Sequence, residues 1–158
     1  MVNLNWCKKQ KRGIGLIDLN DNLSESYLKE AHESFFAYLK NIGKWKVITG
    51  YYSCYNALYS ILMKCGIKSE IHDCTIRLMS LFDFDQKDIN FLEDLKSKRV
   101  DVQYYLKEIK FKDDLKIKNF IFKCELILKE LNFEKIEQIR SLLNPRLGSM
   151  KLGSKNEK

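Results

Sequence analysis

The chain has 158 residues, 45% hydrophobic and 31% charged, which is the composition of one ordinary folded domain. No apolar run is long enough to span a bilayer, and no apolar signal core follows the N-terminal lysines, so we expect a cytoplasmic protein. The net charge of +7 belongs to residues 1–12 and 146–158, because residues 13–145 sum to zero. Within that central part, residues 96–123 hold nine basic and four acidic side chains, which points to an anionic partner near this segment.

The N-terminal part of the chain predicts an arm followed by two helices. Residues 1–21 begin with a basic cluster and continue into a glycine-containing stretch, which predicts a basic arm. Asn22 with Glu25 three residues later is a capping-box pattern, so we expect the first helix to begin after Asn22 and to end at Gly43. The second helix runs from about Lys44 to Cys65 and is apolar or aromatic nearly all round, as is typical of a central helix.

Three further helices and a short final element complete the predicted fold. Helices of this length joined by short links lie antiparallel to their neighbours, so the sequence predicts an all-α fold, an up-and-down bundle of four or five helices over residues 22–145. Residues 146–158 are polar and basic and predict a flexible tail. The remaining predicted elements are a third helix capped by Ser69, a fourth capped by Asp85 with Asp88 and ending near Tyr105, a fifth from Asp113 to about Asn132, and a short element Phe133–Leu142.

The cysteines and histidines argue against a metal centre or a disulfide framework. The five cysteines are an odd number, and no two of them form a C-x-x-C pair. The only histidines are His32 and His72. We therefore expect neither a structural disulfide nor a zinc site, and no cofactor.

One arginine occupies a position on a predicted apolar stripe. Leu92, Leu95, Arg99 and Val102 follow spacings of three and four and so share one face of the fourth helix. A guanidinium does not lose its charge, so on this face it needs an acid, a solvent-filled cleft or a partner. A salt bridge to a nearby acid is the structural alternative to an anion-binding site.

The side chains close to this arginine have both binding and packing interpretations. Tyr104 and Tyr105 suit base stacking or a bond to a phosphate, and they equally suit packing at the end of the fourth helix. Lys98 and Lys107 suit contact with a nucleic-acid backbone, or are simply solvated. His72 is a neutral capping histidine in the simpler interpretation, and a displaced acid–base group if the fold brings it near the arginine.

The order of these features resembles HEPN domains (higher eukaryotes and prokaryotes nucleotide-binding), especially small stand-alone prokaryotic members. The resemblance covers roughly Leu23 to Leu131, most of the chain. It implies a HEPN-like helical bundle and a homodimer. The segments that carry it are Tyr27-Leu28-Lys29-Glu30-Ala31, Gly50-Tyr51-Tyr52-Ser53-Cys54-Tyr55-Asn56-Ala57-Leu58, Gly66-Ile67-Lys68-Ser69-Glu70-Ile71-His72 and Arg99-Val100-Asp101-Val102-Gln103-Tyr104-Tyr105.

Many members of that family are metal-independent endoribonucleases, often toxins of toxin–antitoxin systems, whose signature is an arginine followed a few residues later by a histidine. Arg99 matches the arginine, whereas the histidine position is filled by Tyr104, or by Tyr105 or Leu106 with a longer spacing. The resemblance implies a homodimer that binds RNA or a nucleotide phosphate. Its ribonuclease motif is degenerate, because tyrosine has an ordinary pKa of about 10 and does not exchange protons near neutral pH as histidine does. Two alternatives stay open: an active ribonuclease that uses Tyr104 or His72, and an interaction module that pairs with a nucleotidyltransferase.

Overall fold

The structure, a computed structural model, describes residues 2–144, so the predicted tail at 146–158 lies outside the described residues. The described chain is mostly helical, as the sequence predicts, with one two-stranded antiparallel sheet. Its elements are α1 (Leu4–Lys9), β1 (Gly15–Leu16), α2 (Asp21–Lys40), α3 (Gly43–Lys64), β2 (Ile67–Lys68), α4 (His72–Arg77), a 3-10 turn (Leu78–Leu81), α5 (Gln86–Tyr104), α6 (Asp114–Glu130) and α7 (Phe133–Leu143).

Helix α3 lies at the centre of the core, which confirms the prediction from its apolar circumference. It packs against α2, α5 and α6, and side chains on several of its faces are fully buried, among them Tyr51, Leu58 and Leu62. Burying each such side chain contributes roughly 1.5–3 kcal/mol. The packing around α3 therefore supplies much of the stability of the fold and fixes the direction of the tyrosines that α3 carries.

Both ends of α3 depend on glycine at a positive φ. Gly43 (φ +59°) begins the helix immediately after a two-residue link from α2, so the two helices run antiparallel. Gly66 (φ +63°) follows the other end. There Arg140 of α7 places its Nη1 atom 2.9 Å from the carbonyl oxygens of both Cys65 and Gly66, which ties α7 to the end of the central helix.

Two predicted helix starts are wrong. Helix α2 is capped by Asn20, not by Asn22: the Asn20 side chain accepts a hydrogen bond from the Leu23 amide at 2.8 Å, and Asn22 already lies in the first turn. Helix α4 begins after Ile71 without a side-chain cap. Ser69, the predicted cap, is buried instead, and its backbone exchanges hydrogen bonds with the Tyr59 hydroxyl at 2.8 and 3.2 Å.

The position of the α2 cap gives a matched pair of substitutions. We expect Asn20→Ala to lower the free energy of unfolding by about 1 kcal/mol, because the Leu23 amide loses its acceptor. Asn22→Ala should change it by less than about 0.5 kcal/mol, since an exposed residue within the first turn caps nothing. Urea unfolding of the two variants measures the difference. A larger loss for Asn22→Ala would contradict the observed cap.

The predicted N-terminal arm is instead packed onto the domain. Residues of β1 pair with β2, with Gly15 opposite Lys68 and Leu16 opposite Ile67. Helix α1 is joined to α4 by a disulfide between Cys7 and Cys74, both of which are fully buried. The expectation that the chain has no structural disulfide is therefore wrong. Neither the odd number of cysteines nor the absence of a C-x-x-C pair excludes a disulfide between two cysteines that lie 67 residues apart in the sequence and are brought together by the fold.

The other three cysteines of the chain form no disulfide. Cys54, Cys65 and Cys124 are free thiols, each buried in the core as a small apolar side chain.

Within residues 2–144, no helix combines the length and the apolarity that a membrane span requires.

Candidate anion-binding site around Arg99

Helix α5 sets the position of the site. It begins with the predicted capping box, in which the Asp85 side chain accepts from the Asp88 amide and the Asp88 side chain accepts from the Asp85 amide. From this start, the buried face of the helix carries Leu92, Leu95, Arg99 and Val102, as the spacing predicts. Arg99 is only 7% exposed, so a permanently charged group lies on the face that packs against α3.

Aromatic rings rather than acids surround the Arg99 guanidinium. Its central carbon lies 5.0 Å from the ring centre of Tyr51 and 5.8 Å from those of Tyr52 and Tyr104. Contacts of this kind attract the cation to the negative faces of the rings. The fourth neighbour is Gln103, whose Oε1 accepts a hydrogen bond from Nη1 at 3.1 Å.

The hydrogen-bonding capacity of Arg99 is only partly used. Its Nε atom is buried and has no hydrogen-bond partner, and among residues 2–144 no carboxylate forms an ion pair with the guanidinium. The salt bridge that would make Arg99 a purely structural residue is therefore absent from the described part of the chain. What remains is a buried cation with unused donor capacity, which suits an anion that presents two acceptor oxygens, such as a phosphate.

His72 lies against the same cluster, at the first residue of α4. Its ring stacks on Tyr55 with the ring centres 4.4 Å apart, and its Nδ1 atom lies 2.5 Å from the Tyr51 hydroxyl. Tyr51 thus contacts both Arg99 and His72. The conditional expectation that the fold brings His72 near Arg99 is met through this shared tyrosine.

The protonation states in the cluster follow from burial and from the nearby cations. Burial, and then the positive charges of Arg99 and Lys96, lower the pKa of His72, so the imidazole is neutral near pH 7. Burial raises the pKa of the Tyr51 hydroxyl, which keeps its proton. The bond to His72 is the only hydrogen bond of that hydroxyl within the described residues. Tyr51 therefore donates to Nδ1, and we assign the His72 proton to Nε2.

The lowered pKa of His72 makes the stability of the protein depend on pH. Below the ordinary pKa of 6.5, the unfolded chain takes up a proton on His72 that the folded protein binds only at lower pH. We therefore expect the free energy of unfolding to fall as the pH decreases through about 6.5. Urea unfolding of the wild type and of His72→Gln across this range measures the effect. The fall should become shallower in His72→Gln, and equal slopes in the two proteins would contradict the prediction.

Of the other predicted site residues beside His72, only Tyr104 has a contact with the guanidinium. Tyr104 contacts it while remaining 64% exposed. Lys98 points to Asp94, with which it forms an ion pair at 2.5 Å, and Lys107 pairs with Asp101 at 2.9 Å. Tyr105 is exposed, with the Lys107 ammonium 5.9 Å from its ring centre. Lys98, Lys107 and Tyr105 are thus on the rim rather than in the cluster.

Gln103 and Tyr51 complete the cluster: the sequence pattern does not single out Gln103, and it leaves Tyr51 as a residue of the central helix that could reach the cleft. Gln103 is four residues after Arg99 on the same helix, a spacing at which side chains meet, so its role was open to prediction. Tyr51 belongs to a helix with many aromatic residues, and its pattern is equally typical of core packing. Only the packing of α3 against α5 and α4 distinguishes it.

Neither a metal centre nor a relative helps to define the site. Residues 2–144 contain no group of three or more histidine, cysteine, aspartate or glutamate side chains placed to hold a metal ion. Comparison of the chain with protein-family models, with curated proteins and with solved structures finds no match. The geometry around Arg99 is therefore the feature of the chain that indicates a function.

Proposed function

We propose that this chain is a HEPN-like helical protein that binds RNA or a nucleotide phosphate at Arg99. The observation that carries the proposal is the buried guanidinium with an unpartnered Nε and no carboxylate beside it in the described residues. A phosphate whose oxygens accept from guanidinium N–H groups would neutralise the charge that no described carboxylate compensates. No other described cation is both as buried and as incompletely paired.

Tyr104 supports a nucleotide rather than a bare anion. Its ring lies against the guanidinium and is still 64% exposed, so one face of the site is an accessible aromatic surface. Stacking of a base on such a ring contributes about 1–3 kcal/mol and depends little on the base. Arg99 and Tyr104 together offer contacts for the two chemically different parts of one nucleotide.

The second candidate is a metal-independent endoribonuclease, which is favoured by the position of His72 next to the Arg99 cluster. Arg99 would bind the scissile phosphate and His72 would handle protons. The assigned tautomer of His72 favours the RNA-binding protein over the ribonuclease, because the Nδ1 atom of His72 accepts a hydrogen bond from Tyr51 and the Nε2 atom carries a proton. In that state His72 donates a hydrogen bond but does not act as a general base.

One experiment separates the two candidates. Wild type, Arg99→Ala and Arg12→Ala are incubated with labelled single-stranded RNA in EDTA, and both binding and cleavage are followed. Arg12 is the control because it is an exposed arginine paired with Glu70 at 3.4 Å. We expect binding without cleavage, weakened by Arg99→Ala and unchanged by Arg12→Ala. Cleavage by the wild type and not by Arg99→Ala would establish the ribonuclease, and no binding would refute the proposal.

Self-association and a protein partner are further parts of the proposal that come from the resemblance alone. Sedimentation velocity of the purified full chain tests the homodimer, and a monomer at all concentrations would contradict it. Co-purification with a small nucleotidyltransferase tests the interaction module. A stable complex with such a partner, together with no affinity for RNA, would favour that module over the RNA-binding protein.

A further inference from the structure

A cavity lies between the α2–α3 turn and the connection from α5 to α6, and one of its lining residues, Val102, follows Arg99 by three positions on α5. It has a volume of about 570 Å³, within the range of ligand sites. Three lysines and one acid line it together with apolar side chains. The residues that matter are Lys44, Lys107, Lys110, Glu108, Val102 and Leu106.

The cavity has an excess of positive charge that the described chain does not neutralise. Within residues 2–144, neither Lys44 nor Lys110 forms an ion pair with a carboxylate, whereas Lys107 pairs with Asp101. Lys44 also stands in the first turn of α3, where a cation opposes the helix dipole. The interaction of Lys44 with the helix dipole is therefore unfavourable, and an anion bound in the cavity would offset it.

The cavity and the Arg99 cluster are neighbours along helix α5. Val102, which lines the cavity, follows Arg99 on the same buried face of α5 and lies about 4.5 Å further along the helix axis. Leu106 has a positive φ of 52° and turns the chain after the helix. The Asp101 carbonyl accepts from the amides of Tyr105 and Lys107 at 3.2 and 3.1 Å, which holds this turn in place.

We propose that this cavity is a second phosphate-binding subsite, so that the ligand is a single-stranded oligonucleotide and not a mononucleotide. One phosphate of the strand binds Arg99, a base stacks on Tyr104, and a following phosphate binds Lys44 and Lys110. The inference rests on the proposed function and deepens it. A mononucleotide at Arg99 would leave the lysines of the cavity without an anion.

The test compares ligand lengths and two charge-matched double variants. The probes are uridine monophosphate and oligouridylates of about two to ten nucleotides, titrated at several salt concentrations. Lys44→Ala/Lys110→Ala removes the cavity charge. Lys129→Ala/Lys135→Ala is the control, because both lysines are exposed and lie at the end of α6 and the start of α7, away from the cavity.

We expect affinity to rise with length in the wild type. In Lys44→Ala/Lys110→Ala, the affinity for the longest probe should fall about tenfold, and the slope of the logarithm of the affinity against the logarithm of the salt concentration should decrease by about 1.4 in magnitude. The affinity of this variant for the monophosphate, and all affinities of the control variant, should be unchanged. Equal losses in both double variants, or binding that does not depend on length, would overturn the subsite. Length-independent binding that Arg99→Ala abolishes overturns the subsite alone, whereas no binding of any probe overturns the proposed function as well.

Discussion

Arg99→Met is expected to raise the free energy of unfolding by about 1 kcal/mol while it weakens RNA binding by at least about tenfold. The two effects have opposite signs because the folded chain alone does not satisfy this guanidinium. Arg99 is 7% exposed, its Nε has no partner, and no described carboxylate compensates its charge. Methionine removes the buried charge and fills a similar elongated space.

The size of the stability gain follows from two opposing contributions. Replacing a buried ionic group by an apolar side chain of similar volume is often neutral or stabilising by about 1–4 kcal/mol. Against this stand the contacts of the guanidinium with the rings of Tyr51, Tyr52 and Tyr104 and its bond to Gln103. The range of 1–4 kcal/mol already includes the loss of such contacts, and because Arg99 makes several of them we expect a value at its lower end, about 1 kcal/mol.

Urea unfolding and RNA titration of the same preparations measure both effects. Leu95→Met is the matched control, since it places the same side chain one helical turn earlier on the same buried face. It should lower stability by less than about 1.5 kcal/mol and leave RNA binding unchanged. If Arg99→Met lowers stability by more than about 1 kcal/mol and binding is unchanged, Arg99 is a structural residue and the proposed site is wrong.

The sequence predicts helix α5 well because all its signals are local. Asp85 and Asp88 mark its start three residues apart, and the stripe that contains Arg99 repeats at helical spacing. The start of α2 was misplaced because Asn20 and Asn22 are both good caps by residue type. The choice between them depends on the preceding chain, where the Asn20 amide lies 3.4 Å from the Met63 carbonyl oxygen at the end of α3. That contact spans 43 positions and leaves no local pattern.

The same distinction between local signals and long-range contacts applies to the residues of the site. Gln103 lies four residues after Arg99, so helical spacing places the two side chains together. Tyr104 lies five residues after Arg99 at the end of α5, and its contact with the guanidinium does not follow from helical spacing. The contact of Tyr51 with both Arg99 and His72 joins three helices, and no periodicity within one helix reports it. The sequence gives a reason to examine Arg99 and His72 separately, and the packing of α4 and α5 on α3 brings them together.

The disulfide between Cys7 and Cys74 is the feature whose removal should change stability most. It closes a loop of 67 residues that contains α2, α3 and the sheet. In the chain-entropy model, a cross-link over a loop of this length contributes about 4 kcal/mol, because it restricts the unfolded chain. We expect the wild type under reducing conditions to unfold at a lower urea concentration by an amount that corresponds to this loss.

The same disulfide tests the expected cytoplasmic location. Cys7→Ala/Cys74→Ala should match the reduced wild type to within about 1 kcal/mol, and a reductant should leave the variant unchanged, since Cys54, Cys65 and Cys124 are already free thiols. Disulfides persist in oxidising compartments and are rare in the cytosol. Trapping the thiols of the protein in intact cells by alkylation therefore decides between two situations. An intact Cys7–Cys74 bond in the cell would argue against a cytosolic location, whereas two reduced thiols would mean that the protein works in the cytosol without the cross-link's contribution to stability.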